Sequence, residues 1–184
     1  MSTDPIFRTT IRLRGVSKSF SAGAGSCTAV VAALDQASVE IRGGEVLFVC
    51  GPRGAGKTTV LLCAAGLLHC DSGEVFNRGC RVIYRDFAHS SPILDGWPEG
   101  GVILLDSCDG LGELRRVRVL NAIAAALATA SAVVLAARDP GRCFELAPAA
   151  ATVSTLHLRL GRVTDHRPAI AAAHRVAEAG GGSY

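Results

Sequence analysis

The sequence predicts an α/β fold: a mostly parallel sheet with helices on both faces and an antiparallel β portion at its N-terminal side. Three observations predict it. Residues 45–50, 102–105 and 132–137 are short apolar runs of the kind found in strands buried on both faces. Helical patterning follows the first two runs, so strands alternate with helices. No internal repeat competes with that reading. Consecutive parallel strands then require right-handed crossovers.

The bulk properties agree. A chain of 184 residues, 49% apolar and 19% charged, suits one domain with a sizeable core, alone or with a tail. The net charge of +3 gives no concentrated basic patch, so no nucleic-acid partner is expected. Only two lysines occur, Lys18 and Lys57, and every other cation is arginine. The seven cysteines have no C-x-x-C spacing, so they read as small buried apolar residues in a reducing compartment. The N-terminus lacks the layout of a signal peptide, which leaves a cytoplasmic location as the expectation. Residues 119–137 carry no charge and could span a bilayer by length, but alanine dominates them. A soluble helix and a buried strand are the better reading.

In chain order, residues 9–16 alternate as a first strand, and 21–26 form a small, flexible loop. Residues 30–41 make a second strand, ending at the turn Gly43-Gly44. The apolar run 45–50 leads into a glycine loop. Residues 58–68 read as a helix apolar nearly all round, hence buried. Residues 74–84 suggest a strand pair broken at 77–79. Residues 85–100, with two prolines and no period, read as a loop, with Trp97 packing it over the core. Residues 102–105 form a strand ending at Asp106. Residues 113–128 form a helix whose apolar positions are Leu114, Val117, Leu120, Ile123, Ala124 and Leu127, with Arg115, Arg116 and Arg118 facing solvent. The third buried strand, 132–137, is closed by Arg138-Asp139-Pro140. Residues 152–160 with Gly161 suggest a last strand or hairpin. From Pro168 onward at most one short helix is expected.

Residues 51–58 match G-x-x-x-x-G-K-[ST] at every fixed position. Glycines let the main chain curl so that its N–H groups face an anion. The following helix adds free N–H groups and a favourable dipole. Lys57 supplies a point charge for the β- and γ-phosphates. Thr58 offers a hydroxyl to Mg²⁺. The candidate nucleotide ligands are Gly51, Pro52, Arg53, Gly54, Ala55, Gly56, Lys57, Thr58 and Thr59. Asp106, at the carboxyl end of a buried strand, is the candidate second Mg²⁺ ligand. The sheet is therefore expected to be of the P-loop NTPase type, binding a nucleoside triphosphate with Mg²⁺.

With the loop in place, the chain resembles the ATPase subunits of ATP-binding cassette (ABC) transporters. Val16-Ser17-Lys18-Ser19-Phe20 looks like the family's opening strand, whose aromatic stacks on adenine. The stretches 33–41, Gly44-Glu45-Val46, Ala65-Gly66-Leu67-Leu68 and Asp71-Ser72-Gly73-Glu74-Val75 are also similar. The resemblance implies ATP binding with slow or partner-dependent hydrolysis, in a domain over 1–167 with a tail over 168–184. It implies Lys57 and Asp106 as the catalytic pair, and Phe20 beside the base. It also implies a membrane permease or a second ATPase subunit as partner, with attachment to the inner face of a membrane through that partner.

The departures are equally specific. Too little chain separates Lys57 from Asp106 for the family's helical subdomain and L-S-G-G-Q signature, and neither occurs. Arg85 or Asp86 stands near the place of the lid glutamine, Ser107 in that of the catalytic glutamate, and Arg138 in that of the switch histidine. A positioned base contributes about 10²–10⁴-fold, so binding is better supported than turnover. Asp109 and Glu113 are the alternative bases. Arg138 is read either as a γ-phosphate contact or as an ion-pair partner of Asp139 or Glu145. Two other readings of the whole chain are a non-hydrolysing nucleotide sensor and a small P-loop kinase.

Overall fold

The computed structural model describes residues 10–22, 29–77, 79–89, 97 and 100–171. Three strands form an antiparallel sheet: β1 (Thr10–Ala22), β2 (Ala29–Arg42) and β4 (Ser72–Asn77), in the order β2-β1-β4. Six others form the main sheet: β3 (Glu45–Cys50), β5 (Val82–Asp86), β6 (Val102–Asp106), β7 (Ala132–Ala137), β8 (Thr152–Arg159) and β9 (Arg162–Ala171). Their order is β5-β6-β7-β3-β8-β9, parallel except for the last pair. Among the described residues there are three α-helices: α1 (Lys57–Ala64), α2 (Glu113–Ala128) and α3 (Pro140–Phe144).

The apolar runs are buried because both faces of the main sheet are covered. Leu47, Val49, Leu104, Val134 and Leu156 face a core shared with α1 and the antiparallel sheet. The alternate residues Val46, Phe48, Ile103, Leu105 and Leu135 face a second core under α2 and α3. There Phe48 meets Phe144 edge to face, at 4.7 Å between centroids. Trp97 packs against this second core, as expected. Four of the six described cysteines are buried, in line with their reading as small apolar residues, and Cys27 lies outside the described residues.

Several boundaries differ from expectation for identifiable reasons. The first strand runs on to Ala22, so Ser21 belongs to β1; residues 23–26 of the expected loop are outside the described set. Helix α1 stops at Ala64 rather than at residue 68. Gly66 takes a left-handed conformation (φ 72°). The Gly66 N–H then bonds Cys63 O at 3.0 Å, and the Leu67 N–H bonds Leu62 O at 3.0 Å. That is a Schellman close. Strands β4 and β5 do not pair with each other; each joins a different sheet. Helix α3 replaces a simple turn after β7. The Asp139 side chain accepts the Gly141 N–H at 2.9 Å, and Pro140 fits the first helical position. Strand β9 continues through Pro168 to Ala171, because it is an edge strand and an edge tolerates a missing N–H.

The buried face of α2 is also different. Val119, Ile123 and Ala126 are buried, whereas Leu114 is 86% exposed and Val117 55% exposed. Arg116 is not simply solvated, since it bonds Glu145 at 2.7 Å. In an alanine-rich helix two neighbouring stripes are nearly equal in apolar content, and packing chooses between them. Ile123→Ala should therefore cost about 2–5 kcal/mol, and Leu114→Ala no more than about 0.5 kcal/mol. Urea unfolding of both variants checks this, and equal losses would refute the assigned face.

Candidate functional site

Strand β3 ends at Cys50, and the glycine loop turns directly into α1. Gly56 caps that helix in a left-handed conformation (φ 96°). A Cβ there would collide with the Ala33 carbonyl of β2, so the loop lies hard against the antiparallel sheet. The hairpin between β8 and β9 braces it from another side. The Gly161 N–H bonds Ala55 O at 3.2 Å, and Gly161 O accepts the Asp35 N–H at 3.0 Å.

Lys57 opens α1, where the helix dipole opposes a cation. Its ammonium is held instead by loop carbonyls, donating to Gly51 O at 2.7 Å and Pro52 O at 2.8 Å. Burial pulls its pKa below the ordinary lysine value, and the nearby carboxylates of Asp109 and Asp106 oppose that shift. The helix has neither an acid in its first turn nor a side-chain cap, which leaves its amino end suited to an anion. Thr58 is exposed there and Thr59 half-buried.

A cleft of about 290 Å³ opens over the loop. Gly54 to Thr59 form one side, and Phe20, Val31 and Ala33 of β1 and β2 form the other. Phe20 is 42% exposed and lies directly across from Val31, so it is not a core residue.

Asp106 ends β6 and is 3% exposed. One strand, β7, separates it from β3, so it is not on the neighbouring strand; both strands nevertheless end at the same edge of the sheet. Its Oδ1 accepts the Ser107 N–H at 2.7 Å and its Oδ2 the Tyr84 hydroxyl at 3.1 Å. Burial and the Asp106 charge push the Tyr84 pKa well up, so its hydroxyl stays a donor. Among the described residues no lysine or arginine lies within ion-pair distance of Asp106. A buried carboxylate without a cationic side chain suits a cation from solution. Asp106 with the Thr58 hydroxyl is a hard-oxygen set that fits Mg²⁺, which takes few protein ligands and completes its shell with phosphate and water. The described residues hold no group of three or more His, Cys, Asp or Glu that could bind a metal by themselves.

The rim of the site was only partly legible. Ser107 is left-handed (φ 59°) and has no carboxylate to offer. Arg138 pairs with Asp109, not with Asp139 or Glu145. Its main-chain N–H donates to the Asp109 carboxylate at 2.9 Å and its Nε at 3.3 Å. Asp109 thus joins Lys57 and Arg138, while Glu113 lies exposed at the start of α2. Arg85 turns back to its neighbour's carbonyl, Tyr84 O, at 3.1 Å. Burial raises the Asp86 pKa, but hydrogen bonds from His89, the Ala88 N–H and Ser107 outweigh it, so the net shift is downward. The signal for the Asp109–Arg138 pair is topological, since both follow strands that end beside the loop.

Residues 34–91 match the ABC transporter family. The chain is 32% identical over 80 residues to the galactose/methyl galactoside import ATP-binding protein MglA of Clostridium perfringens, which is 44% of this chain and 14% of MglA. It is 49% identical over 51 residues to the sulfate/thiosulfate import ATP-binding protein CysA of Burkholderia mallei, 28% of this chain and 14% of CysA. The matched stretches thus span about a seventh of those relatives. The fold is similar to the dimeric ATP-binding cassette MJ0796, bound to ADP and Pi after hydrolysis, with a TM-score of 0.65 and 14% identity. That match covers 86% of this chain and 98% of the other. Among the described residues no helix is long and apolar enough to cross a membrane. Over residues 34–91 this chain is thus similar to the ABC transporter family, and its fold is similar to that of an ATP-binding cassette.

Proposed function

We propose that this chain binds MgATP in the cleft over residues 51–59 and hydrolyses it slowly or only with a partner. The observation that carries the reading is Lys57, whose ammonium turns into the loop at a helix start that favours an anion. Main-chain N–H groups of residues 53–59 would cradle the phosphates, with Lys57 on the β- and γ-phosphates. Thr58 and Asp106 would hold Mg²⁺, which neutralises phosphate charge when bound. Phe20 would receive the base.

Turnover is the weaker half of the reading. Ser107 cannot take a proton from water as a carboxylate would, which removes a contribution of about 10²–10⁴-fold. Asp109 is the nearest candidate substitute, and its carboxylate is already held by Arg138. That same observation favours a second reading, a nucleotide sensor that binds without turnover. The named relatives are import ATP-binding proteins and the structural neighbour is a dimer, which supports a membrane permease or a second ATPase subunit as partner. Such a partner would bring the chain from the cytoplasm to the membrane face.

A melting experiment tests binding. MgATP at a hundredfold excess over Kd should raise folding stability by about 2.7 kcal/mol. The rise should vanish in Lys57→Ala while the unliganded melting temperature stays near that of the wild type. A shift that persists in Lys57→Ala refutes the assigned loop. Phosphate release tests turnover. Wild type should be slow, Asp106→Asn slower still, and Ser107→Glu at least about tenfold faster than wild type. A Ser107→Glu rate equal to wild type, with MgATP still bound, would show that position 107 does not limit hydrolysis.

A further inference from the structure

Of the two lysines of this chain, Lys57 lines the cleft and Lys18 lies against Phe20, which lines it too. Lys57 stands at its phosphate end, and Lys18 lies against Phe20 at the other, with Nζ 5.6 Å from the ring centroid. What holds Lys18 there is Asp71, the residue just before β4. The last register pair between β1 and β4 is Ser17 with Ser72. Past that pair Asp71 continues the contact with β1 in three ways. Its N–H donates to Ser17 O at 2.8 Å. Its Oδ2 accepts the Ser19 N–H at 2.7 Å. Its Oδ1 accepts the Lys18 ammonium at 2.6 Å.

Lys18 is consequently only 17% exposed although it carries a charge. Its ammonium and the aromatic ring lie within cation–π range. Phe20 itself remains 42% exposed and lines the cleft beside its cross-strand partner Val31. An exposed ring without such a tether must be ordered when a ligand stacks on it, at an entropic cost that a tether removes beforehand. The hydrogen bonds from Lys18 and the Ser19 N–H also hold the Asp71 carboxyl below its usual pKa, so the anchor stays ionised.

We propose that Asp71 and Lys18 are positioning residues for the nucleotide base, fixing the Phe20 ring in the place where the base stacks. The proposal rests on the reading that Phe20 receives the base. Neither residue lines the cleft beside the glycine loop. Both should affect ligands that carry a base and leave base-free phosphates alone.

The test compares equilibrium titrations of the full chain with MgATP and with magnesium tripolyphosphate, which has the phosphates and no base. Phe20→Ala should weaken MgATP about tenfold. Lys18→Met and Asp71→Asn should each weaken it about three- to fivefold. All three should bind tripolyphosphate as wild type does, which also reports an intact loop. Lys18→Met in the Phe20→Ala background should add nothing, and Lys18→Arg should retain most of the affinity. The two tether variants remove opposite charges, so a loss of MgATP binding in both cannot be a bulk electrostatic effect. If both tether variants leave MgATP affinity unchanged while Phe20→Ala weakens it, the tether is refuted and the base platform stands. Equal losses for MgATP and tripolyphosphate in the tether variants also refute it. If Phe20→Ala binds MgATP as tightly as wild type, the platform reading fails and the proposal falls with it.

Discussion

A cation placed against a helix dipole is the constraint around which this molecule is arranged. Lys57 begins α1, where an ammonium is electrostatically disfavoured, and it is tolerated there because two loop carbonyls accept its protons. That solution requires the chain to curl back on itself within a few residues. The curl requires a left-handed residue at Gly56, and Gly56 in turn lets β2 press directly on the loop. The sheet order follows the same logic. Strands β3, β6 and β7 end together, so Lys57, Asp106 and Arg138 gather at one edge although they are distant in sequence.

The charges at that edge form a graded series rather than a set of isolated pairs. Asp109 is bonded to Arg138 and still acts on Lys57. Asp106 is buried, without a cationic side chain, and supported by one main-chain N–H and one hydroxyl. Two carboxylates and two cations therefore share a small volume, with one carboxylate neutralised internally and the other available to an external cation. This division separates a residue that stiffens the rim from one suited to hold a metal.

Much of this was legible in the sequence because it rests on local rules. The apolar runs predict buried strands, since period and composition agree there. The spacing of Gly51, Gly56, Lys57 and Thr58 predicts the strand–loop–helix unit, because few other backbones need that pattern. What was not legible depended on tertiary choices. The buried stripe of α2 is set by which of two near-equal faces meets β7, and alanine leaves them almost degenerate. The end of α1 had a local signal in Gly66, outweighed in reading by the apolar residues beyond it. Helix α3 likewise had one in Asp139-Pro140. The partner of Arg138 had no local signal, because Asp109 lies across the crossover from β6 to β7 and only the strand order brings the two together.

The backbone of Gly161 touches both the glycine loop and β2, one bond to each. A single residue thereby ties together three segments that are far apart along the chain. A push that tilts the β1–β2 ribbon cannot be absorbed locally. It would bear through Gly161 on the Ala55 carbonyl as well. A protein docking on the outer face of the ribbon would hence be connected through one residue to the loop that follows β3.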